Sequence, residues 1–419
     1  MNVDAALPLG WTRQTLEAAV GGSRRVISGP FGSNLTQADY VLTGVPVIRG
    51  ANMGRNGRFI GGEFIFVSDK KADDLSCNIA RPGDIVVTQR GTVGQVSIIP
   101  KDIGFRRYVI SQSQMAISVD GSIDRNFLYS FLNSPLFAKY VRVSTNQTGL
   151  PHINLHLLRQ APLIIPTLPE QQRIAKILAK WDESIDVLDQ QINRKEQIVS
   201  YLQGVLMTGL RRLGPGEQLW PIVTLGEVTQ HLTARNGVRY SRERVMGVTK
   251  AEGLVPMRDH IIAADLARYL ILPPQAFAYN PMRINIGSIT MSEAKEEVIV
   301  SPDYVVFACR SERCHPRFLN HLRRTRAWQD FMSGAGNGSV RVRIYYADLA
   351  DFEFHLPSLQ EQERIAQVLD DADREVSALR AERRAREKQR NALATELLTG
   401  RIRVPNTEQF NATVGNEGA

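Results

Sequence analysis

The sequence predicts an α+β protein in which two α/β domains are separated by two long helices, paired as an antiparallel coiled coil. Three observations predict this fold. One block of sequence occurs twice, and short β-branched runs precede each copy. Each copy also continues as a helix with apolar residues at heptad spacing. With 419 residues and 43% hydrophobic content, the chain is long enough for two or three cores.

The repeat is clearest in LPEQQRIAKIL at 168–178 and LQEQERIAQVL at 359–369. Arg173 of the first copy and Arg364 of the second lie 191 residues apart, far more than the period of a solenoid repeat. The match extends without gaps on both sides, through the pairs Phe127 and Phe318, Pro166 and Pro357, Asp182 and Asp373, Leu202 and Leu393, and Gly209 and Gly400. Each half is therefore predicted to be a variable globular part followed by a better-matched helix.

The globular parts are rich in strand signals, which are β-branched runs broken by Gly, Pro or Asp. These runs are GDIVVTQRGTVGQVSII (83–99), EEVIVSPDYVVFAC (296–309), GVPVIRG and FIFVS. Only DRNFLYSFLNSPLFAKYV (124–141) and HPRFLNHLRRTRAWQDFM (315–332) have a helical pattern there. Two Gly-rich loops, GPFGSN and SGAGNGS, complete the α+β prediction.

The long helices carry apolar seams at alternating steps of four and three residues. In the first helix Lys195 interrupts the seam formed by Ile174, Leu178, Trp181, Ile185, Leu188, Ile192, Val199, Leu202 and Leu206. In the second helix the seam is Ile365, Leu369, Ala372, Val376, Leu379, Leu393 and Leu397, with Arg383, Arg386 and Arg390 in the middle. The second seam is therefore apolar at both ends and cationic in its centre.

Two apolar stripes in one chain are most simply buried against each other. If the helices are antiparallel with matched ends, the residue numbers of partners add up to about 571, as for Ile174 and Leu397. The three seam arginines then lie beside Asp182, Asp186 and Asp189, and we expect salt bridges there. We also expect a cation-π contact between Arg390 and Trp181, each exposed pair contributing at most about 1 kcal/mol. The predicted helix-pairing residues are Ile174, Leu178, Trp181, Ile185, Leu188, Ile365, Leu369, Val376, Leu379, Arg386 and Arg390.

Composition adds a weaker signal about partners and compartment. A formal charge of +8, from 51 Lys and Arg against 43 Asp and Glu, favours a polyanionic partner. Three cysteines without CxxC spacing are typical of a reducing cytoplasm. The start MNVDAALPLGW does not resemble a signal peptide, and no run reaches the length of a membrane span. The sequence therefore predicts a cytoplasmic protein with no membrane partner.

A catalytic centre is not recognisable in the sequence. It contains neither a GxxxxGK[ST] phosphate loop nor HExxH, and Cys314-His315 has no second ligand pair for zinc. YNPMR at 279–283 comes nearest to the Asn-Pro-Pro-aromatic tetrapeptide with which aminomethyltransferases grip a flipped base, but it lacks the second proline. These observations predict that this chain binds, without a metal or cofactor of its own, while another chain catalyses.

The candidate DNA-binding residues lie in the globular parts. Arg90 and Arg283 each precede a glycine by four residues on a hairpin-like turn, where an Arg can grip guanine O6 and N7. His152 and Arg343 share one repeat position just before a helix-like stretch, which suits a phosphate contact. Arg interleaved with Tyr adds Arg106, Arg107 and Arg239. A solvated charged face remains the alternative for each of them.

These features together resemble the specificity subunit of type I restriction-modification systems, over almost the whole chain. The resemblance rests on GPFGSNL, GDIVVTQRGTVGQVSII, ISQSQM and LPEQQRIAKIL in the first half, and on NPMRINIGSI and LQEQERIAQVL in the second. The second half lacks a counterpart of GPFGSNL. The domains expected from it are a first target recognition domain (1–165), a first spacer helix (166–212), a second recognition domain (213–356), a second spacer helix (357–400) and a tail (401–419).

The resemblance implies that each recognition domain reads one half of a split, asymmetric sequence in double-stranded DNA. It also implies that two methyltransferase subunits dock on the helices and supply S-adenosylmethionine and adenine methylation, while restriction subunits add ATP-driven translocation and cleavage. Equivalent reading surfaces would then lie about one DNA turn, roughly 34 Å, apart.

Two rival interpretations stay open at this point. One is a stand-alone DNA-binding regulator that dimerises through its helices, which a homodimer on palindromic DNA would support. The other is a self-sufficient methyltransferase, which would have to bind S-adenosylmethionine by itself.

Overall fold

The computed structural model describes residues 7–54, 58–102, 104–146, 152–214, 219–250, 252–334 and 343–404. These residues form two compact units. Unit 1 contains the chain up to Gln190 and again from Ala381, and unit 2 is Gln191–Arg380. Each unit therefore includes part of both long helices, and the domain boundaries given above stay a prediction.

Unit 1 is built from eleven described strands and five short α-helices before the first long helix begins. The strands are Thr12–Thr15 (β1), Val26–Ser28 (β2), Tyr40–Val41 (β3), Val45–Ile48 (β4), Ile65–Val67 (β5), Ile79–Ala80 (β6), Ile85–Thr88 (β7), Val96–Ile98 (β8), Tyr108–Ile110 (β9), Gln114–Ile117 (β10) and Pro162–Ile165 (β11). The helices are Leu16–Ala19 (α1), Asp69–Asp74 (α2), Arg125–Leu132 (α3), Pro135–Asn146 (α4) and Leu155–Arg159 (α5). The strand runs were predicted correctly, whereas α1, α2 and α5 were not predicted.

The predicted helix at 124–141 is in fact two helices, α3 and α4. Pro135 follows the break, and a residue that precedes proline is disfavoured in helical backbone. Ser134 fills the junction, since its hydroxyl donates to the Phe131 carbonyl at 2.6 Å. The chain therefore turns here instead of continuing as one helix.

The sheets of unit 1 form two layers with helices on one side. Four strands are ordered β2-β10-β7-β8 and five are ordered β3-β5-β4-β9-β6, with β4 and β9 parallel, while β1 pairs with β11. Alternate residues of β7 point to opposite faces. Ile85 and Val87 pack with the helices, whereas Val86 packs with Ile48 and Tyr108 of the second sheet.

The first long helix, Leu168–Met207 (α6), leads from unit 1 into unit 2. The strands of unit 2 are Ile222–Thr224 (β12), Thr229–Leu232 (β13), Val245–Thr249 (β14), Gly253–Pro256 (β15), Leu270–Leu272 (β16), Phe277–Tyr279 (β17), Ile289–Met291 (β18), Val298–Val300 (β19), Val305–Cys309 (β20) and Glu353–His355 (β21). Its short helices are Leu225–Val228 (α7), Pro316–Leu322 (α8), Arg326–Gly334 (α9) and Tyr346–Ala350 (α10). Here again the predicted helix at 315–332 is divided, and α7 and α10 were not predicted.

The strand order of unit 2 matches that of unit 1. Four strands are ordered β13-β20-β17-β18, four are ordered β15-β14-β19-β16, and β12 pairs with β21. The parallel pair is β14 with β19, at the place that β4 and β9 have in unit 1. Unit 1 has one further strand, β3, at the edge of its second sheet.

The second long helix, Leu359–Leu398 (α11), lies antiparallel to α6 within each unit. In unit 1, Arg390 pairs with Asp182 at 2.9 Å and Arg383 pairs with Asp189 at 2.7 Å. Both pairs of residue numbers add up to 572, close to the predicted register. Ile174 and Leu178 share a buried core cluster with Leu397, as that register requires.

In unit 2 the same two helices pair through other charges. Lys195, the polar residue in the first seam, meets Glu375 at 2.6 Å, and Glu196 meets Arg380 at 2.6 Å. The remaining seam positions are mostly buried. Ile185, Leu188, Ile365, Leu369 and Val376 are buried, whereas Trp181 and Leu379 are half-buried.

Two details of the predicted helix pairing were wrong. Arg386 pairs with Glu382 of its own helix, because a carboxylate four residues away is reached without crossing to the other helix. The buried Arg390 guanidinium also donates to the Asn133 carbonyl at 3.0 Å, and among the described residues it lies over no aromatic ring. The predicted cation-π contact with Trp181 is therefore absent from the described structure.

Each long helix begins with a buried glutamate that ties distant segments together. In unit 1, Glu170 accepts hydrogen bonds from Trp11 Nε1 at 3.1 Å and from the Arg403 guanidinium at 2.7 and 2.9 Å. In unit 2, Glu361 accepts from Trp220 Nε1 at 3.1 Å and from Arg212 at 2.8 and 2.7 Å. We call these two sets the unit 1 clamp and the unit 2 clamp.

A glycine after each long helix turns the chain back toward its clamp. Gly209 and Gly400 both have φ of +74°, a left-handed conformation that side chains disfavour and that commonly ends helices. The reversal brings Arg212 and Arg403 to their glutamates. Because Gly209 and Gly400 occupy one repeat position, both units close in the same way.

Candidate nucleic-acid interface

The hairpin loop between β7 and β8 of unit 1 carries Arg90. The two strands are antiparallel neighbours, so residues 89–95 form a turn at one end of the four-stranded sheet. The Arg90 side chain is exposed and, among the described residues, pairs with no carboxylate. Its charge is therefore available to an anionic partner.

A second segment joins this hairpin. The Ile153 backbone N–H donates to the Gln89 carbonyl at 3.2 Å, which places the half-buried His152 beside the loop that carries Arg90. Gln89 Nε2 in turn donates to the Gln112 carbonyl at 2.5 Å. The structure thus brings Arg90 and His152 together, although they lie 62 residues apart in sequence.

Unit 2 repeats this arrangement with different side chains. Residues 280–288 connect the antiparallel strands β17 and β18 and carry the exposed Arg283. The Ile344 backbone N–H donates to the Pro281 carbonyl at 3.1 Å, which brings the exposed Arg343 beside this loop. A hydrogen bond to Tyr345 raises the pKa of the Arg343 guanidinium, which therefore stays charged.

The other three candidate arginines differ in whether a neighbouring carboxylate neutralises their charge. Arg107 contacts both Asp69 and Asp73, whose hydrogen bonds raise the pKa of its guanidinium. Arg239 pairs with Glu297 at 3.1 Å and lies over the Tyr240 ring. Arg106 is exposed and has no described partner. Neutralisation by carboxylates makes Arg107 and Arg239 weaker candidates for DNA than Arg90 and Arg283.

Sequence reasoning missed residues that build these surfaces. Gln112 Nε2 donates to the Gly32 carbonyl at 2.5 Å and so joins the first Gly-rich loop to the hairpin of Arg90. In unit 2 the exposed Lys250 lies along Gly287, on the loop of Arg283. Lys250 directly follows β14, a strand that was not predicted, so no sequence signal singled it out. The second Gly-rich loop, SGAGNGS, lies outside the described residues apart from its first two.

Other kinds of site find no support in the described part of the chain. No three His, Cys, Asp or Glu side chains gather there as metal ligands would. The helices of the same residues include none with both the length and the apolar run needed to cross a bilayer.

Two units with matching sheets, each with exposed basic residues on a hairpin, favour a DNA-binding protein without a catalytic centre of its own. The chain belongs to the family of type I restriction-modification specificity subunits. The family model described as type I restriction modification DNA specificity domain matches residues 35–197 and 277–386, more than half of the chain. The non-catalytic role is a property of these subunits.

Curated relatives agree with the family model. The chain is 26% identical over 304 residues to the type I restriction enzyme MjaVIII specificity subunit of Methanocaldococcus jannaschii, covering 67% of this chain and 71% of that protein. It is 23% identical over 212 residues to the EcoBI specificity subunit of Escherichia coli, covering 50% of this chain and 43% of that protein.

Solved structures show the same fold at low sequence identity. The S subunit of a type I restriction-modification system from M. genitalium has a TM-score of 0.53 at 14% identity, covering 95% of this chain and 98% of that one. A chain from a study of assembly and conformational transition in a type I system has a TM-score of 0.51 at 16% identity, covering 95% and 100%.

Proposed function

We propose that each unit reads one half of a split, asymmetric DNA sequence and that the long helices dock two methyltransferase subunits. One observation carries the proposal. In both units an equivalent backbone hydrogen bond brings a second basic residue to a hairpin that already carries an exposed arginine. The side chains differ, Arg90 with His152 in one unit and Arg283 with Arg343 in the other, so two different half-sites are expected.

The chemistry of these pairs suits duplex DNA. An exposed arginine on a hairpin can donate two parallel hydrogen bonds to guanine, whereas the neighbouring basic residue can hold a phosphate. Phosphate contacts make binding salt-dependent, and base contacts make it sequence-dependent. The two members of each pair are therefore distinguishable by experiment.

Exposed apolar residues on the long helices support the docking part of the proposal. Val187 of unit 1 is 51% exposed, and in unit 2 Ile198 and Tyr201, one helical turn apart, are 45% and 64% exposed. Ile198 and Tyr201 are neighbours on one helix face, and contiguous exposed apolar side chains mark protein interaction sites. S-adenosylmethionine and adenine methylation would belong to that partner, and ATP-driven cleavage to restriction subunits.

Single-molecule methylation sequencing of DNA from cells with the chain intact, deleted or substituted tests the proposal. Deletion should abolish N6-methyladenine in both halves of one split motif. Arg90→Gln should relax specificity in one half only, and Arg283→Gln in the other. The exposed Lys139→Gln in unit 1 and Lys295→Gln in unit 2 remove the same charge outside the hairpins and should change neither half.

Methylation that persists unchanged after deletion would contradict the proposal. A homodimer bound to palindromic DNA would then favour the stand-alone regulator. Relaxation of both halves by Arg90→Gln would contradict the assignment of one half to each unit.

A further inference from the structure

Phe31 stands out in unit 1 because its ring is 81% exposed on a loop that is held firmly in place. The Gly29 backbone N–H donates to the Gln114 carbonyl at 3.0 Å, and Gln112 Nε2 donates to the Gly32 carbonyl at 2.5 Å. The chain is therefore pinned on both sides of the ring. The ring is exposed to solvent and therefore contributes nothing to a hydrophobic core. An exposed aromatic ring on a loop that hydrogen bonds hold in place suggests a role in binding.

Close contact fixes where this loop lies. A Cβ on Gly29 would fall 1.9 Å from the Ser111 carbonyl oxygen, so only glycine permits the approach. Gln112, the next residue, accepts from Gln89 Nε2 at its carbonyl and thereby borders the hairpin of Arg90. We call Phe31, Gln89, Arg90, Gln112 and His152 the unit 1 loop surface.

The composition of this surface decides among partners. Its polar members are amide and basic side chains, and among the described residues Arg90 pairs with no carboxylate. A single ring set among such groups does not suit an apolar protein surface, which needs a larger patch. It suits the major groove of DNA, where phosphates line the rim, amides and Arg reach base edges, and the thymine methyl is the one large apolar group.

We propose that Phe31 packs on the 5-methyl group of a thymine in the half-site read by unit 1. The inference rests on the proposed function and adds a base contact to it. No counterpart of the pinned loop precedes the hairpin of unit 2 in sequence, so the contact is assigned to one half only. Thymine recognition by this ring requires no titration and should be independent of pH near neutrality.

Deoxyuridine provides a sharp probe, because it differs from thymidine only by the missing methyl group. The full-length chain is bound to a duplex with the motif found by methylation sequencing, and each thymine in turn is replaced by deoxyuridine. Fluorescence anisotropy should show affinity falling roughly 3- to 10-fold at one position in the unit 1 half-site. Phe31→Ala should bind both duplexes equally, with the affinity of wild type for the deoxyuridine duplex.

Matched variants separate this contact from other effects. Leu42→Ala removes a side chain that is 95% exposed elsewhere in unit 1 and should leave the discrimination intact. Arg90→Gln should lower affinity but keep the thymine preference at the Phe31 position. Circular dichroism confirms that the variants stay folded, as expected for exposed residues.

Several results would overturn the inference. These are discrimination by wild type at no thymine, a unit 1 half-site that contains no thymine, and a thymine preference that Phe31→Ala retains. Each outcome excludes a methyl contact by this ring. A uniform loss of affinity in Phe31→Ala on all duplexes would also exclude it. Failure of wild type to bind the motif duplex at all would instead count against the proposed function.

Discussion

The unit 2 clamp allows a quantitative prediction for Glu361→Gln. The Glu361 carboxylate is 1% exposed and accepts five hydrogen bonds from described residues: two from Arg212, one from Trp220, and one each from the backbone N–H groups of Leu213 and Gly214. Glutamine keeps the shape but replaces one oxygen by a donor. Arg212 then loses its ion pair with Glu361, and at least one of the buried donors loses its acceptor.

The pKa of the carboxyl group gives the magnitude. Hydrogen bonds, first that of Arg212, outweigh burial and lower the pKa of Glu361 from 4.5 to about 2. A difference of that size between the folded and unfolded protein corresponds to about 3 kcal/mol of stability from the ionised group. Because glutamine resembles the protonated acid, Glu361→Gln should cost about 3 kcal/mol at pH 7.

The pH dependence follows from the direction of the shift. The folded-state pKa is lower than the unfolded one, so the contribution is fully present above about pH 4.5 and is lost as the pH falls toward 2. Urea unfolding followed by circular dichroism, from pH 7 to 2.5, should therefore show a difference between wild type and variant that is constant at first and then shrinks. Hydrogen exchange of residues 205–214 should report the same loss locally.

Glu363→Gln is the matched control, since Glu363 is exposed on the same helix and loses the same charge. It should change stability by less than about 0.5 kcal/mol. The reasoning is refuted if Glu361→Gln costs under about 1 kcal/mol at pH 7, or if its cost is undiminished at pH 2.5.

Two further predictions concern unit 1. Arg390→Ala should destabilise the protein by about 3 kcal/mol because it leaves Asp182 without its buried partner. Arg386→Ala removes only a pair within one helix and should cost at most about 1 kcal/mol; equal costs in urea unfolding would argue against this distinction. A chain ended after Leu398 loses the Arg403 pair and should exchange hydrogen faster at residues 7–20, whereas a chain ended after Val404 should not. Equal protection in the two chains would show that Arg403 does not hold the unit 1 clamp.

The parts of the fold that the sequence predicted depend on local patterns. The β-branched runs around β7, β8, β19 and β20 alternate or are fully buried, and strand formation needs little more than that pattern. The heptad pattern allows few antiparallel registers in which the apolar ends of the two seams lie opposite each other. The register of the long helices could therefore be predicted. The Arg390 and Arg383 salt bridges followed from that register.

What the sequence did not predict depends on residues far apart in the chain. Trp11 and Arg403 meet Glu170 across more than 150 residues on either side, and no local pattern marks such a contact. Arg107 looked free because Asp69 and Asp73 lie on α2, a helix that was not predicted. Arg386 forms its salt bridge with Glu382, because a carboxylate on its own helix competes with the carboxylates of the partner helix.

The division of unit 1 into two chain segments affects the order in which the protein can be completed during synthesis. Unit 2 is one continuous stretch, Gln191–Arg380, so all its residues leave the ribosome before the chain is finished. Glu170 is made early but must wait for Arg403, more than 230 residues later, before its charge is compensated. Unit 1 therefore starts before unit 2 but is completed after it, and synthesis that stops before Arg403 leaves the unit 1 clamp unformed.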